Sequence, residues 1–324
     1  MKTKFLVLTL FTFLLILGCQ TGSEEAFNLE TSLKEIPVKP PIYVDLGNTS
    51  NPVFMKSVSG KIIEVIPYMA EYFTVGNSDE VGNTIFFNSR GNNQLLADFP
   101  IDPWYLDLID GTNDISYYVD NSRPSDDIKN VSVSNAAIDR AMNTWGGVNC
   151  ANGLAIIERP YNPALKTGVF AGERFRPPYI DPVIGWVADV VHAGWMPPNF
   201  FNLFFPGGSE NILGVTITYI TGLDEDNNGK PDVWFREIYY NDYFKWGNGG
   251  YDVETVALHE TGHALSQSHF GKAFARGTDP TDPKWKFHFA PRAVMNASYS
   301  GIQTNIRKTD NRTHCNIWGE WPNN

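Results

Sequence analysis

The 324-residue chain is short of positive charge: 25 Lys and Arg stand against 36 Asp and Glu, a formal net charge of −11. No cluster of Lys or Arg follows Lys4, so nothing could track a phosphate backbone, and nucleic acid is excluded as a partner. Long apolar runs are also missing. The stretch from Phe5 to Leu17 falls short of the about 17 to 25 residues that a membrane-spanning helix needs, and it reads as the apolar core of an export signal. Cysteine is scarce, with three residues in all. No internal repeat is present. What remains, 42% hydrophobic and 14% aromatic residues, is the composition of an ordinary globular core with room for one large or two medium domains.

The N-terminal sequence Ile16-Leu17-Gly18-Cys19 resembles a bacterial lipobox. That resemblance implies removal of residues 1–18, lipid on Cys19, and an exported protein tethered to a bacterial membrane. Gln20 in place of Asp favours the outer membrane or cell surface; the alternative is an ordinary signal peptide. With Cys19 modified, Cys150 and Cys315 are left to form a disulfide, worth about 3 to 5 kcal/mol for so long a loop. Residues 19–45 are polar and Pro-rich and read as an extended, unfolded tether. Residues 46–112 carry short apolar runs, Lys61 to Ile66 and Thr84 to Phe87, which predict a small strand-rich N-terminal region and a candidate prodomain. From 113 to 324 the pattern is strand (Ile115 to Val119), helix capped by Ser134, strand (Leu154 to Glu158), long Pro/Gly/aromatic loops from Arg159 to Gly208, then strands Ile212 to Ile220 and Val233 to Tyr240.

The chemistry is concentrated in His259-Glu260-Thr261-Gly262-His263. On a helix, residues four apart share a face, so His259 and His263 can reach one ion, while Glu260 on the adjacent flank suits a general base. Asp252 is the expected N-cap, with Glu254 in the first turn. Three of the six histidines fall between 259 and 269. A continuing helix would carry His269 about 9 Å along the axis from His263, so the helix must end near Ser266 for His269 to be the third ligand. Three protein ligands leave a position open for water or substrate, as catalytic zinc sites do.

With these elements in this order, residues from about 115 to 324 resemble the metzincin clan of zinc endopeptidases, most closely the matrixin-like family. The resemblance implies an α+β fold, a twisted mixed sheet with an active-site helix and a methionine turn, preceded by the strand-rich N-terminal region. It implies that His259, His263 and His269 bind Zn2+, Glu260 is the base, and Met295, in Pro291-Arg292-Ala293-Val294-Met295-Asn296, forms the floor. It implies too that strand Ile212 to Val215 pairs with an extended protein or peptide substrate. The chain departs from the family at Ser266, where Gly is usual, at Phe270, where Ser is usual, and at Asn296-Ala297, where Tyr-Pro is usual. Tyr299 is either an oxyanion donor or a packed aromatic. No Pro-Arg-Cys-Gly switch precedes the catalytic region.

Asp224, Asp226, Asn228, Lys230 (through its carbonyl) and Asp232 alternate around Gly229 like the first nine residues of a calcium loop, and predict a structural Ca2+ between two strands. The other reading is a plain Asn-Gly turn. His192, His288 and His314 have no second histidine nearby and read as structural. A zinc endopeptidase is the leading reading. Its rivals are a calcium-dependent surface binding or adhesion lipoprotein with a vestigial zinc site, and a zymogen whose N-terminal region fills the cleft.

Overall fold

The computed structural model describes residues 33–37, 39–44, 53–87, 97–100, 110–174, 183–277, 279–282 and 284–322. The expected signal peptide and Cys19 lie outside these. The strands are β1 (Lys34–Ile36), β2 (Ile42–Val44), β3 (Val53–Lys56), β4 (Ile62–Thr74), β5 (Thr84–Phe87), β6 (Ile115–Val119), β7 (Ile156–Glu158), β8 (Val183–Gly185), β9 (Val190–Met196), β10 (Ile212–Ile220), β11 (Val233–Asn241), β12 (Lys272–Arg276) and β13 (Lys286–Ala290). The helices are α1 (Val131–Gly146), α2 (Val169–Arg174), α3 (Gly208–Asn211), α4 (Val253–Ala264) and α5 (Lys308–Trp318). No described helix is long and apolar enough to cross a membrane.

The fold is α+β, organised on one mixed sheet in the order β2-β5-β4-β10-β11-β9-β6-β7, with β3 and β8 attached through β4. β7, β6, β9 and β11 run parallel, and β10 is antiparallel to β11. All nine residues of β10 and of β11 are buried. Their alternate side chains feed two cores: Leu213 and Ile238 lie with α1 and α4, while Val215, Ile217 and Tyr239 lie on the opposite face. Helices α1 and α4 pack together, and Trp145 on α1 donates its indole N–H to the carbonyl of Leu258 at 2.8 Å.

Several expectations need correction. The segment read as an unfolded tether contains β1, antiparallel to β12, and β2, parallel to β5. Ile36 supplies the reason, packing on the small apolar cluster that includes Ala273 and Ala275. The cap of α1 is Asn130, whose side chain accepts from Ser132 N, while Ser134 sits inside the helix and donates to Val131 O. The buried stripe becomes continuous only from Ala137, so the pattern hid the first turn. Strand β9 lies within the stretch read as loops. It is buried along its whole length, so no alternation marks it, and Gly194, at φ 92°, sits where its register with β11 shifts.

The largest difference concerns β10. Its outer edge, expected to receive a peptide substrate, is taken by β4, antiparallel from Ile212↔Thr74 to Ile220↔Ile66. An extended peptide cannot add there while β4 is in place. Met69 and Phe73 of β4 enter the core around α4, and Ala70 and Tyr72 enter the other. Strands β2 to β5 are therefore part of the same sheet as strands beyond 113, while β1 joins β12 and β13 in a separate three-stranded sheet.

Candidate metal centre

Helix α4 begins as expected: the Asp252 carboxylate caps it, accepting from Thr255 N at 2.8 Å. Its end is a Schellman turn in which Ser266 N–H bonds His263 O and Gln267 N–H bonds Gly262 O, both at 2.9 Å. Ser266 sits at φ 64°, the left-handed conformation that glycine adopts without strain. Buried Arg236 on β11 holds it, donating to Ser266 Oγ at 3.1 Å and to Ala264 O at 2.8 Å, where a cation also complements the helix C-terminus.

That turn returns His269 to the two helix histidines. The Nε2 atoms of His259, His263 and His269 form a triangle with sides of 3.1, 3.1 and 3.2 Å. Three nitrogens each about 2.0 to 2.1 Å from one zinc at tetrahedral angles stand roughly 3.3 Å apart, so the triangle fits such an ion. The protonation pattern agrees. His259 Nδ1 lies 2.8 Å from Val294 O and His263 Nδ1 lies 2.8 Å from Gln267 O. A carbonyl only accepts, so both Nδ1 atoms carry a proton, and each ring in its neutral form turns an Nε2 lone pair to the centre. Lone pairs converging without a donor call for a cation.

The electrostatics favour the neutral, lone-pair-bearing form for two of the three rings. Burial, then the neighbouring His263, holds His259 well below the usual imidazole range, and burial with the other two rings does the same to His269. Burial lowers His263 too, but the facing carboxylates of Glu71 and Glu260 outweigh it and raise that ring. Burial pushes Glu260 up to about 8 against the pull of His263 and of Thr216. Thr216 on β10 donates to Glu260 Oε2 at 2.7 Å, and Oε1 is buried with no hydrogen-bond partner among the described residues. Gly214 allows this approach: a Cβ there would stand 2.8 Å from Glu260 Oε1.

The turn that carries Met295 is held by two side chains. Asp310 on α5 accepts from Val294 N and Met295 N at 2.8 and 3.1 Å, and the Asn296 side chain bridges Phe270 O and Pro291 O. Tyr299 behaves as a packed aromatic, edge-on to Tyr251 with centroids 5.0 Å apart and its hydroxyl engaged by the Asp252 backbone. Four residues of the centre had no signal in the sequence: Glu71, Phe73, Arg236 and Asp310. Phe73 stacks on the His259 ring at 3.9 Å. Glu71 lies 3.3 Å from His263 Nδ1.

Between β10 and β11, ligand oxygens of Asp224, Asp226 and Asp232 lie within 4.8 Å of one another. Asp224 accepts from Asn228 N and Gly229 N, and the Asn228 side-chain oxygen accepts from Lys230 N. Asp232 Oδ1 is buried without a partner, and burial first, then nearby carboxylates, pushes Asp232 up to about 6. Hard oxygens crowded in this way suit Ca2+. Lys230 Nζ instead pairs with Asp98 at 2.8 Å.

Cys150 and Cys315 are joined, tying the segment after α1 to α5. His192 is buried against Tyr240 Oη at 2.8 Å, and His314 against Trp145 at 5.1 Å, while His288 is exposed on β13; none approaches the triad as a ligand. No protein-family model matches the chain, and no curated protein matches it.

Proposed function

We propose that the chain is a zinc-dependent endopeptidase of the metzincin, matrixin-like type, exported and lipid-anchored through Cys19, with Ca2+ as a structural ion in the 224–232 loop. The observation that carries this reading is the triangle of Nε2 atoms beside a buried carboxylate with a free oxygen. His259, His263 and His269 would hold the metal, which when bound supplies Lewis acidity toward a water and a scissile carbonyl. Glu260 supplies the proton transfers: Thr216 fixes Oε2, leaving Oε1 to take the proton of the attacking water and return it to the leaving amine. A cation beside it would draw Glu260 down from its raised value, so that it is ionised when needed. Phe73 stacks on one face of the His259 ring and packs it in place.

The filled β10 edge favours a second reading, a calcium-dependent surface binding lipoprotein whose zinc site is vestigial. Zinc quantification on the full chain, with a peptide-library digest in the presence and absence of a chelator, separates the two. Bound zinc with chelator-sensitive cleavage supports the peptidase. Zinc with no cleavage of any peptide supports the rival, and folded protein that takes up no zinc sinks the metal site itself.

A further inference from the structure

Glu71 lies on β4, directly opposite Thr216 in the β4–β10 register, and both side chains face helix α4. Thr216 anchors the carboxylate of Glu260; Glu71 reaches the neighbouring turn of the same helix. Its Oε2 stands 3.3 Å from His263 Nδ1, beside the Gln267 carbonyl that accepts from the same nitrogen at 2.8 Å, and its Oε1 stands 3.4 Å from Thr84 Oγ1. Glu71 is only 1% exposed. The ring of His263 is the positive partner in its reach, and the Glu260 carboxylate is near enough for Glu71 to raise it. A carboxylate buried this deeply is costly unless something positive compensates it, and Thr84 at that distance does little. A dication behind His263 would compensate it through the ring, because imidazole bonded to a metal at Nε2 becomes a stronger donor at Nδ1.

Resting on the zinc reading above, we propose that Glu71 is a positioning residue of the metal centre, a carboxylate that orients His263 and raises its basicity toward the ion. The strand read as part of a removable N-terminal region is then a fixed component of the centre. This accounts for the depth at which β4 is set into both cores, since a loosely docked segment could not hold a carboxylate to hydrogen-bond tolerance.

The test uses the full chain carrying Glu71→Gln or Glu71→Met, which keep the side-chain volume and remove the charge. Zinc affinity is measured by competition with a chromophoric chelator, and thermal stability is measured on metal-free protein. Both variants are expected to bind zinc about 10- to 100-fold more weakly, while the metal-free melting temperature, read at alkaline pH where the His263 ring is neutral and no longer compensates Glu71, stays level or rises. A structural carboxylate would instead lose stability without metal. Variants that hold zinc as tightly as the parent, or that lose metal-free stability or fail to fold, overturn the proposal. If the parent chain itself takes up no zinc, the zinc reading fails first, and the two failures are distinguishable.

Discussion

Gly262 and Met295 meet so closely that a Cβ on Gly262 would stand 2.2 Å from Met295 Sδ and 3.0 Å from the Trp145 ring. Glycine inside a helix costs about 1 kcal/mol relative to alanine, so propensity alone would favour Gly262→Ala. The contact reverses the sign. Overpacking should destabilise this variant by about 1 to 3 kcal/mol in denaturant titration of metal-free protein, and zinc affinity should fall as the helix is pushed from the methionine turn.

Glu260→Gln keeps the shape of the proposed base and its bond from Thr216. Peptide cleavage should fall by about 10²- to 10⁴-fold while bound zinc stays at parent stoichiometry. Parallel measurement of turnover and metal content checks this, and loss of zinc together with activity would mean that Glu260 acts through the fold.

The Phe73 ring lies flat against His259 and packs it in place. Phe73→Leu should leave the sheet intact at a modest cost in stability and should speed zinc removal by a chelator in stopped-flow experiments.

How far the sequence could be read follows from how local each signal is. His259, Glu260, His263 and His269 lie within two turns and a bend, and the left-handed Ser266 follows from the need to bring His269 back. Glu71 and Arg236 act on this segment from β4 and β11, Asp310 acts from α5 on the turn at Met295, and no spacing rule connects them to it. The apolar run Lys61 to Ile66 covers only the first part of β4, which continues through Pro67 to Thr74 and so includes Glu71. In the structure Pro67 lies at a register shift against Tyr219, the kind of irregularity where a strand tolerates proline. Gly194 hid β9 in the same way. The pairing of Cys150 with Cys315 is legible because reading Cys19 as a lipid site leaves only those two of the three cysteines.

His314 lies buried between Trp145 and Trp318, and neither ring nitrogen has a hydrogen-bond partner among the described residues. Burial lowers its pKa to about 4. The folded value is thus below the unfolded one of about 6.5, so the fold binds fewer protons in that interval. Its stabilisation is complete above about pH 6.5 and is lost as pH falls toward 4, by about 3 kcal/mol at most. His314→Phe retains the aromatic packing and removes the titration. Melting temperatures from pH 8 to pH 4 should show a shallower acid decline than the parent, with equal or higher stability at neutral pH.

Calcium should act on the β10–β11 connection and, through β11, on the metal centre. Asp224, Asp226 and Asp232 repel one another with no cation among them, since Lys230 is turned to Asp98. A bound ion removes that repulsion and gives Asp232 Oδ1 a partner. An ion that binds only the folded chain adds about 2.7 kcal/mol at a hundredfold excess over its dissociation constant. The melting temperature should therefore rise with Ca2+ concentration. Magnesium should do less, because it demands a smaller octahedral shell. Asp226→Asn should abolish most of the rise and leave the calcium-free melting temperature unchanged or higher, because it removes one of three repelling charges. Since β11 carries Arg236 to the turn at Ser266, calcium should also slow zinc loss to a chelator. A calcium-dependent rise that leaves zinc loss unaffected would confine the ion's role to the loop.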